Sequence, residues 1–271
     1  MPEPLASILT AGRKVSKPAR VNVLGVGVSA INMRQALSHL DDWISHREQH
    51  YVCVTGVHGV MESQRDREVK AIHNRAGMVT PDGMPLVWLG RLLGKSAHVD
   101  RVYGPDLMLA VCRHSADRGW RHYFYGGAPG VPELLIDKLR QRFPALTIAG
   151  CYSPPFRKLT AEEDAGVMET INAAEPDIVW IGLSTPKQER WMAEHRARLS
   201  APVLIGVGAA FDFHSGRVRQ APRWIQRSGM EWFFRMAMEP RRLWKRYATN
   251  NPQFAALIAL QILGLRKFEL I

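Results

Sequence analysis

The amino-acid sequence predicts an α/β protein with a Rossmann-like, mostly parallel sheet covered by helices on both faces. Three observations lead to this prediction. Short apolar runs alternate with amphipathic stretches of helical length between about residues 21 and 208. The apolar runs are nearly continuous, as in strands buried on both faces. Beyond residue 214 the pattern changes to a basic, aromatic segment, for which we expect a helical appendage.

The predicted elements follow one another along the chain. Apolar runs predict strands at 21–28, 51–55, 122–126, 147–151, 177–182 and 202–208. Amphipathic spacing predicts helices at 33–47, 105–118, 131–143, 161–174 and 186–199. Several helices begin near a proline or a capping Asp, Ser or Thr. We therefore expect a flexible leader at 1–20, an α/β domain at 21–214 and a helical appendage at 215–271.

Positive charge is concentrated near the C-terminus. The 271 residues carry a formal net charge of +11, and the segment 217–247 supplies +7 of it, from nine basic residues minus two glutamates. Localised charge mixed with Trp and Phe favours docking on an anionic, partly apolar surface such as a membrane. The alternative is an ordinary amphipathic helix pair with solvated arginines. No nucleic-acid-binding motif is present, so we expect no nucleic-acid partner.

The apolar stretch 254–265, interrupted only by Gln261, is shorter than the roughly 20 residues that span a bilayer. It could lie in the membrane interface, form a core helix or seal a contact between subunits. Its place after the basic segment favours the interface, so we expect peripheral attachment to a membrane, with a homo-oligomer left open. The three cysteines contain no CxxC pair, the N-terminus has no secretory signal, and a reducing cytoplasm is the simplest compartment.

Ligands of such sheets bind beyond the carboxyl ends of the strands, and two of these ends have polar or glycine-rich turns. Gly126, Gly127 and Gly130 form a turn that could cradle a phosphate, although glycines also serve packing alone. Gln188 falls in the first turn of a predicted helix. There it could hydrogen-bond a sugar or phosphate oxygen, or belong to a solvated first turn.

Two further strand ends or turns carry carboxylates. Asp212 emerges from an apolar run between two phenylalanines, where it could meet a ligand or cap a helix. Asp82 lies in a Pro-Asp-Gly turn, which needs no catalytic role, yet it could act as a general base if it faced the cleft. No Asp-x-Asp pair occurs. If the ligand is a nucleotide sugar, we expect arginines and helix N-termini, and no metal ion, to hold its diphosphate.

Together, seven segments resemble the WecG/TagA/CpsF family, the bacterial glycosyltransferases of family 26. They read VNVLGVGV at 21–28, TPDGMPLVW at 80–88, RVYGPDL at 101–107, FYGGAPG at 124–130, GLSTPKQE at 182–189, GAAFDFHSG at 208–216 and RQAPRWIQRSGMEWFFRMAMEPRRLWKRY at 219–247. The resemblance implies inverting transfer of a sugar from a UDP-sugar to a lipid-linked diphosphate saccharide. It places the reaction at the inner face of the bacterial cytoplasmic membrane, in the synthesis of wall teichoic acid, common antigen, capsule or exopolysaccharide.

The resemblance also implies a role for each matching residue. Asp82 would be the general base, and Arg101 would face the sugar or the acceptor phosphate. Thr55 and Gln188 would line the donor-sugar site. Gly126, Gly127 and Gly130 would form the turn that holds the diphosphate. Tyr152 and Asp212 would contact the uridine. Arg235, Arg242 and Arg246 would close over the active site and neutralise the departing UDP.

One position departs from the family pattern. The family often has Thr-x-Asn after the second strand, whereas this chain has Val57 at the Asn position and His58 next to it. The donor is therefore open between UDP-N-acetylmannosamine and UDP-hexoses such as UDP-glucose. A non-catalytic protein that binds membrane or lipid headgroups on a nucleotide-binding scaffold is the alternative function. An NAD-dependent oxidoreductase is disfavoured because the GxGxxG fingerprint is missing.

Overall fold

A computed structural model describes residues 17–94 and 97–271. Most of the predicted leader lies outside these ranges. The run 21–28 is not a single strand: Arg20–Val23 (β1) and Val26–Ser29 (β2) pair antiparallel in a separate hairpin. Its two-residue turn has positive φ at Leu24 (53°) and Gly25 (80°), the geometry that closes a tight hairpin. The apolar run hides this turn because Leu24 is itself buried.

The central sheet has six parallel strands, which confirms the predicted fold class. These are His50–Thr55 (β3), Met78–Pro81 (β4), Arg121–Gly126 (β5), Thr147–Tyr152 (β6), Ile178–Gly182 (β7) and Val203–Gly206 (β8). They lie in the order β4-β3-β8-β7-β5-β6. Five correspond to predicted strands. The sixth, β4, has no predicted counterpart because its four residues are too few to form a recognisable run.

Helices fill the connections between the strands. They are Met33–Ser45 (α1), Val57–Arg65 (α2), Arg67–Arg75 (α3), Met84–Leu93 (α4), Gly104–Ser115 (α5), Val131–Arg142 (α6), Ala161–Ala173 (α7), Lys187–His195 (α8), Ala210–Ser215 (α9), Arg223–Ser228 (α10), Glu231–Met238 (α11) and Pro240–Ile262 (α12). Asn32 and Thr160 close capping boxes at the starts of α1 and α7. The predicted helix at 186–199 ends earlier, at His195, and continues as a 3-10 turn.

Each face of the sheet packs against its own buried cluster. In β7, Val179 and Ile181 point into one cluster, whereas Ile178 and Trp180 point into the other. Alternate strand residues face opposite sides of a sheet, so helices on both faces are needed to cover them. This two-sided burial accounts for the continuous apolar runs in the sequence.

Helix α12 packs one of its faces on the core. Phe254 and Ile258 join the buried cluster that contains Val179 and Ile181. Gln261 binds the hairpin turn, since its Oε1 accepts from the Leu24 N–H (2.8 Å) and its Nε2 donates to the Asn22 carbonyl (2.8 Å). The polar interruption of the apolar stretch thus has a structural cause. The sequence allows the stretch 254–265 to lie in a membrane interface, form a core helix or seal a subunit contact. Its buried face forms part of the core, while Ile262, Leu263 and Leu265 remain exposed.

Within the ranges that the structure describes, no helix is both long and apolar enough to cross a bilayer. The division of the chain at residue 214 into domain and appendage stays a prediction.

Candidate active site

A cavity of about 690 Å³ opens at the carboxyl edge of the sheet. Loops that follow five of the six strands contribute to its wall, at Gly56 after β3, Asp82 after β4, Gly127 after β5, Ser184 after β7 and Val207 after β8. Helices α10, α11 and α12 cover it from the other side. The cavity therefore lies where parallel α/β sheets bind their ligands.

The Asp82 carboxylate is held on one side by the backbone. Its Oδ1 accepts from the Gly104 N–H at 2.9 Å, and its own N–H donates to the Thr55 carbonyl at 3.0 Å. Oδ2 lies on the side of Gly56, 3.7 Å from where a Cβ on that glycine would sit. Burial raises the pKa of Asp82 above its ordinary value, although the nearby Arg101 and the Gly104 bond oppose the shift. A carboxylate with a raised pKa is a better proton acceptor for a hydroxyl.

Each of the three guanidinium nitrogens of Arg101 contacts a protein group. Its Nε donates to the Asp82 backbone carbonyl, and one terminal nitrogen forms an ion pair with Glu231 of α11. The other terminal nitrogen donates to Gln226 Oε1 at 3.3 Å. The guanidinium carbon also lies 3.8 Å from the centre of the Tyr103 ring. In this arrangement Arg101 joins the Asp82 loop to the C-terminal helices.

Gln188 lies buried in the wall with its amide oriented by a neighbour. Its Nε2 donates to Glu189 Oε1 at 3.1 Å, and the Thr185 hydroxyl donates to the same oxygen at 2.9 Å. Gln188 Oε1 is buried and has no hydrogen-bond partner, and it lies 3.5 Å from where a Cβ on Gly208 would sit. Because Glu189 takes the amide N–H, the free atom of Gln188 is an acceptor. It suits a sugar hydroxyl or amide N–H better than a phosphate oxygen.

Three arginines of the C-terminal helices line the cavity together with Asp212. Arg235 has a buried Nε without a partner, and its guanidinium lies 5.5 Å from the centre of the Phe213 ring. Burial lowers the pKa of Arg246, and the like charges of Arg235 and Arg242 add to this effect. The pKa of Asp212 is raised by burial. Crowded cations with an unsatisfied donor form a site for an anion.

His58 stands at the start of α2 and connects that helix to α12. Its Nδ1 lies 3.1 Å from the Nδ2 of Asn250, which is buried. Burial and the charge of Arg246 lower the pKa of His58 to about 4. The neutral ring accepts a hydrogen bond from Asn250. Because His58 makes this contact within the protein, it differs from an asparagine side chain that is directed only at a ligand.

The structure brings together eight of the twelve predicted site residues around one cavity: Asp82, Arg101, Gly127, Gln188, Asp212, Arg235, Arg242 and Arg246. The other four, Thr55, Gly126, Gly130 and Tyr152, do not line it. Thr55 is buried beneath the wall, and its hydroxyl donates to the Cys53 carbonyl at 3.3 Å. Tyr152 ends the edge strand β6 and stacks on Tyr125, with ring centres 5.9 Å apart.

The glycine turn after β5 has a structural role in part. The Gly127 N–H donates to the Gly182 carbonyl at 3.0 Å, so this amide is not available to a phosphate. A Cβ on Gly126 would lie 2.7 Å from the Gly182 backbone, so only glycine lets the strands approach here. Gly130 caps α6 with φ of 83°.

Sequence reasoning misses four residues that shape the site: Tyr103, Thr185, Glu189 and Glu231. The available signal for Glu231 is its place as one of two acids among nine basic residues. Among the residues that the structure describes, no cluster of three or more His, Cys, Asp or Glu side chains is placed to hold a metal ion.

A parallel α/β sheet with a carboxylate and a cationic wall in one cavity at its carboxyl edge is the arrangement of an α/β protein with a site suited to an anionic ligand. Comparison with known proteins identifies the family within this class. Residues 21–268 match the profile of the Glycosyl transferase WecG/TagA/CpsF family, and the chain belongs to that family.

Two similar proteins come from Bacillus. Both are named N-acetylglucosaminyldiphosphoundecaprenol N-acetyl-beta-D-mannosaminyltransferase. The protein of Bacillus spizizenii is 31% identical over 217 residues, which cover 77% of this chain and 82% of that protein. The protein of Bacillus subtilis is 28% identical over 235 residues, which cover 84% of this chain and 89% of that protein.

Proposed function

We propose that this glycosyltransferase moves a hexose or N-acetylhexosamine from a UDP-sugar to a polyprenyl-diphosphate-linked saccharide, with inversion at the anomeric carbon. The product enters bacterial surface polysaccharide or exopolysaccharide synthesis. One observation carries the proposal: Asp82, whose pKa is raised by burial, shares a cavity with Arg235, Arg242 and Arg246. A base and a cationic set in one cavity match the two charges that develop in such a transfer. The names of the Bacillus relatives support a lipid-linked acceptor.

The reaction balances without a cofactor. Asp82 takes the proton of the acceptor hydroxyl, and the hydroxyl oxygen attacks the anomeric carbon. The bond from that carbon to the UDP oxygen breaks, and UDP leaves with the electron pair. The arginines stabilise the negative charge on UDP, and in this proposal they do so without a metal ion. Gln188, through its free Oε1, holds a hydroxyl or amide N–H of the donor sugar.

We further propose that the C-terminal helices dock on the inner face of the cytoplasmic membrane. Large apolar side chains are exposed on the four helices that contribute to the cavity wall: Trp88 and Leu92 of α4, Trp224 of α10, Phe233 of α11 and Trp244 of α12. Met230, just before α11, is exposed as well. Exposed basic residues interleave with them, at Arg223, Arg227, Arg241 and Lys245. Aromatic and basic side chains on one surface favour an anionic bilayer. Docking there would present the cavity to a lipid-linked acceptor.

A screen for UDP release tests the activity. UDP-hexoses and UDP-N-acetylhexosamines are offered with a short-chain polyprenyl-diphosphate sugar, with and without this acceptor. Acceptor-dependent UDP release with one donor is expected. A folded protein that releases no UDP with any donor, or releases it equally without acceptor, would overturn the proposal.

Flotation with vesicles containing anionic phospholipid tests the docking. Replacing Trp224, Phe233 and Trp244 by Ser should abolish co-flotation, whereas replacing Phe156 by Ser should not, because Phe156 is 93% exposed on a loop that does not line the cavity. Equal flotation of both variants would exclude this surface.

A further inference from the structure

The two acids of the segment 217–247 make different contacts. Glu231 reaches across to the α/β core, where it pairs with Arg101 and accepts from the Tyr103 hydroxyl at 2.7 Å. Glu239 pairs with Arg242 three residues further on, at 2.5 Å, and this pair stays within the appendage. The side chains of Glu231 and Arg101 are each 12% exposed, whereas that of Arg242 is 54% exposed. Of these two acids, Glu231 is the one whose ion pair joins the appendage to the core, and its pair is the less exposed.

The contacts of Glu231 lead directly to the candidate base. Arg101, which Glu231 holds, also donates to the backbone carbonyl of Asp82. Tyr103, which Glu231 holds through its hydroxyl, precedes Gly104, whose N–H binds Asp82 Oδ1. One carboxylate in α11 is therefore linked through two routes to the loop that positions Asp82.

Glu231 also lies one helical turn from an arginine of the cavity wall. Residues four apart lie on the same face of a helix, so Arg235 stands one turn beyond Glu231 on the cavity side of α11. Arg235 lines the cavity with Asp82, and it retains a buried Nε without a partner. In the structure, Glu231 is thus bound to Arg101 while Arg235, one turn away, lines the cavity with an unpartnered donor.

We propose that Glu231 is a positioning residue: by pairing with Arg101 and Tyr103 it docks α11 on the Asp82 loop and so places Arg235 at the reaction site. This inference rests on the proposed function for the part played by Arg235. It assigns Arg101 to the appendage contact in the docked state, in place of the sugar or acceptor phosphate.

Three variants of the full chain test the proposal. Glu231→Ala removes both contacts, Glu231→Gln keeps an acceptor for Tyr103 without the charge, and Glu239→Ala is the matched control. We expect Glu231→Ala to lower kcat about 100-fold, as small misplacements of catalytic groups do, with KM for the UDP-sugar nearly unchanged. Glu231→Gln should be intermediate. Glu239→Ala releases Arg242 but leaves both contacts of Glu231 in place, so its loss of kcat should be much smaller than that of Glu231→Ala.

Trypsin cleavage after Arg223 and Arg227 reports docking independently of activity. Both residues are exposed in α10, which Arg101 holds through Gln226, so undocking should speed cleavage there in Glu231→Ala and leave it unchanged in Glu239→Ala. Equal cleavage and equal kcat in the two variants would overturn the proposal. A wild type that is inactive with every donor, while Glu231→Ala is still cleaved faster, would support the docking contact and overturn the proposed function instead.

A double-mutant cycle with Tyr103→Phe separates positioning from a general loss of stability. The lost hydroxyl should lower kcat in the wild type and have no further effect in Glu231→Ala, because its acceptor is already gone. Additive losses would mean that the two residues act separately and would contradict the proposal.

Discussion

Asn250 of α12 donates from Nδ2 to His58 Nδ1 of α2 over 3.1 Å, and its Oδ1 accepts from Arg65 at 2.5 Å. Asn250 is buried, so both ends of its amide are satisfied by one helix of the core. His58 also lines the cavity. The contact therefore links the protonation of one histidine to the packing of the last helix.

This contact predicts a loss of stability in acid. The folded-state pKa of His58 is lowered to about 4, below the 6.5 of an ordinary histidine. Between these values the unfolded chain binds a proton that the folded chain does not, so the free energy of unfolding falls as pH falls from 6.5 towards 4. For one such group the slope approaches about 1.4 kcal/mol per pH unit. Urea unfolding of wild type and His58→Gln at pH 8.5, 7.5, 6.5, 5.5 and 4.5 measures the difference.

The difference between the two proteins isolates His58, because several other histidines also have lowered pKa values. We expect the wild type to lose more stability than His58→Gln between pH 6.5 and 4.5, and the two to run parallel above pH 7. Parallel curves throughout would show that His58 titrates alike in both states.

Asp82→Asn should separate catalysis from stability. The variant retains an oxygen that can accept from the Gly104 N–H, and it removes a buried negative charge. Loss of a general base costs about 100- to 10,000-fold in kcat. Because burial raises the pKa of Asp82, the charged form is less favourable in the folded state, and the free energy of unfolding at pH 7 should stay the same or rise. Steady-state kinetics and urea unfolding check both, and retained turnover would remove Asp82 as the base.

The sequence predicts the sheet and much of the site because both depend on local pattern. Gln188 lies in the first turn of a helix that follows a predicted strand, so its place at the carboxyl edge can be inferred from the order of elements. Asp82 follows β4, which the sequence does not reveal, so its place is suggested by the Pro-Asp-Gly turn and the family resemblance. The hairpin at Leu24 cannot be inferred so easily, since an apolar residue occupies a turn position with positive φ. There the buried environment of the side chain masks the turn.

Contacts between distant segments leave no local pattern. Arg101 and Glu231 are 130 positions apart, and their pairing depends on how α11 docks. Gln188 presents an acceptor, whereas its residue type alone allows donor or acceptor. The Glu189 carboxylate accepts from the Gln188 amide N–H and so leaves the Gln188 oxygen as the free atom. The sequence does not show this contact, because a glutamate at position 189 would equally suit a solvated first turn of the helix.

Glu189→Gln tests this orientation of Gln188. A carboxylate only accepts, whereas a glutamine at 189 can both donate and accept, so the Gln188 amide could turn over. The Oε1 proposed to hold the donor sugar would then no longer be fixed. We expect kcat/KM for the UDP-sugar to fall about tenfold or more, the equivalent of one hydrogen bond of about 1.4 kcal/mol. Thermal unfolding serves as the control for folding, and unchanged kinetics would exclude the orienting role.

Removal of metal should leave transfer intact if arginines neutralise UDP. We expect equal rates with and without EDTA.

Arg246→Ala should lower kcat about 100-fold or more, as the loss of one preorganised donor to a developing charge does. Arg241→Ala is the matched control, because Arg241 is exposed on the same helix and does not line the cavity. The EDTA experiment and the Arg246→Ala variant both test what neutralises the diphosphate of UDP. If EDTA abolishes the rate, Mg²⁺ restores it and Arg246→Ala has little effect, a metal ion binds the diphosphate, and the arginines would then act in membrane binding.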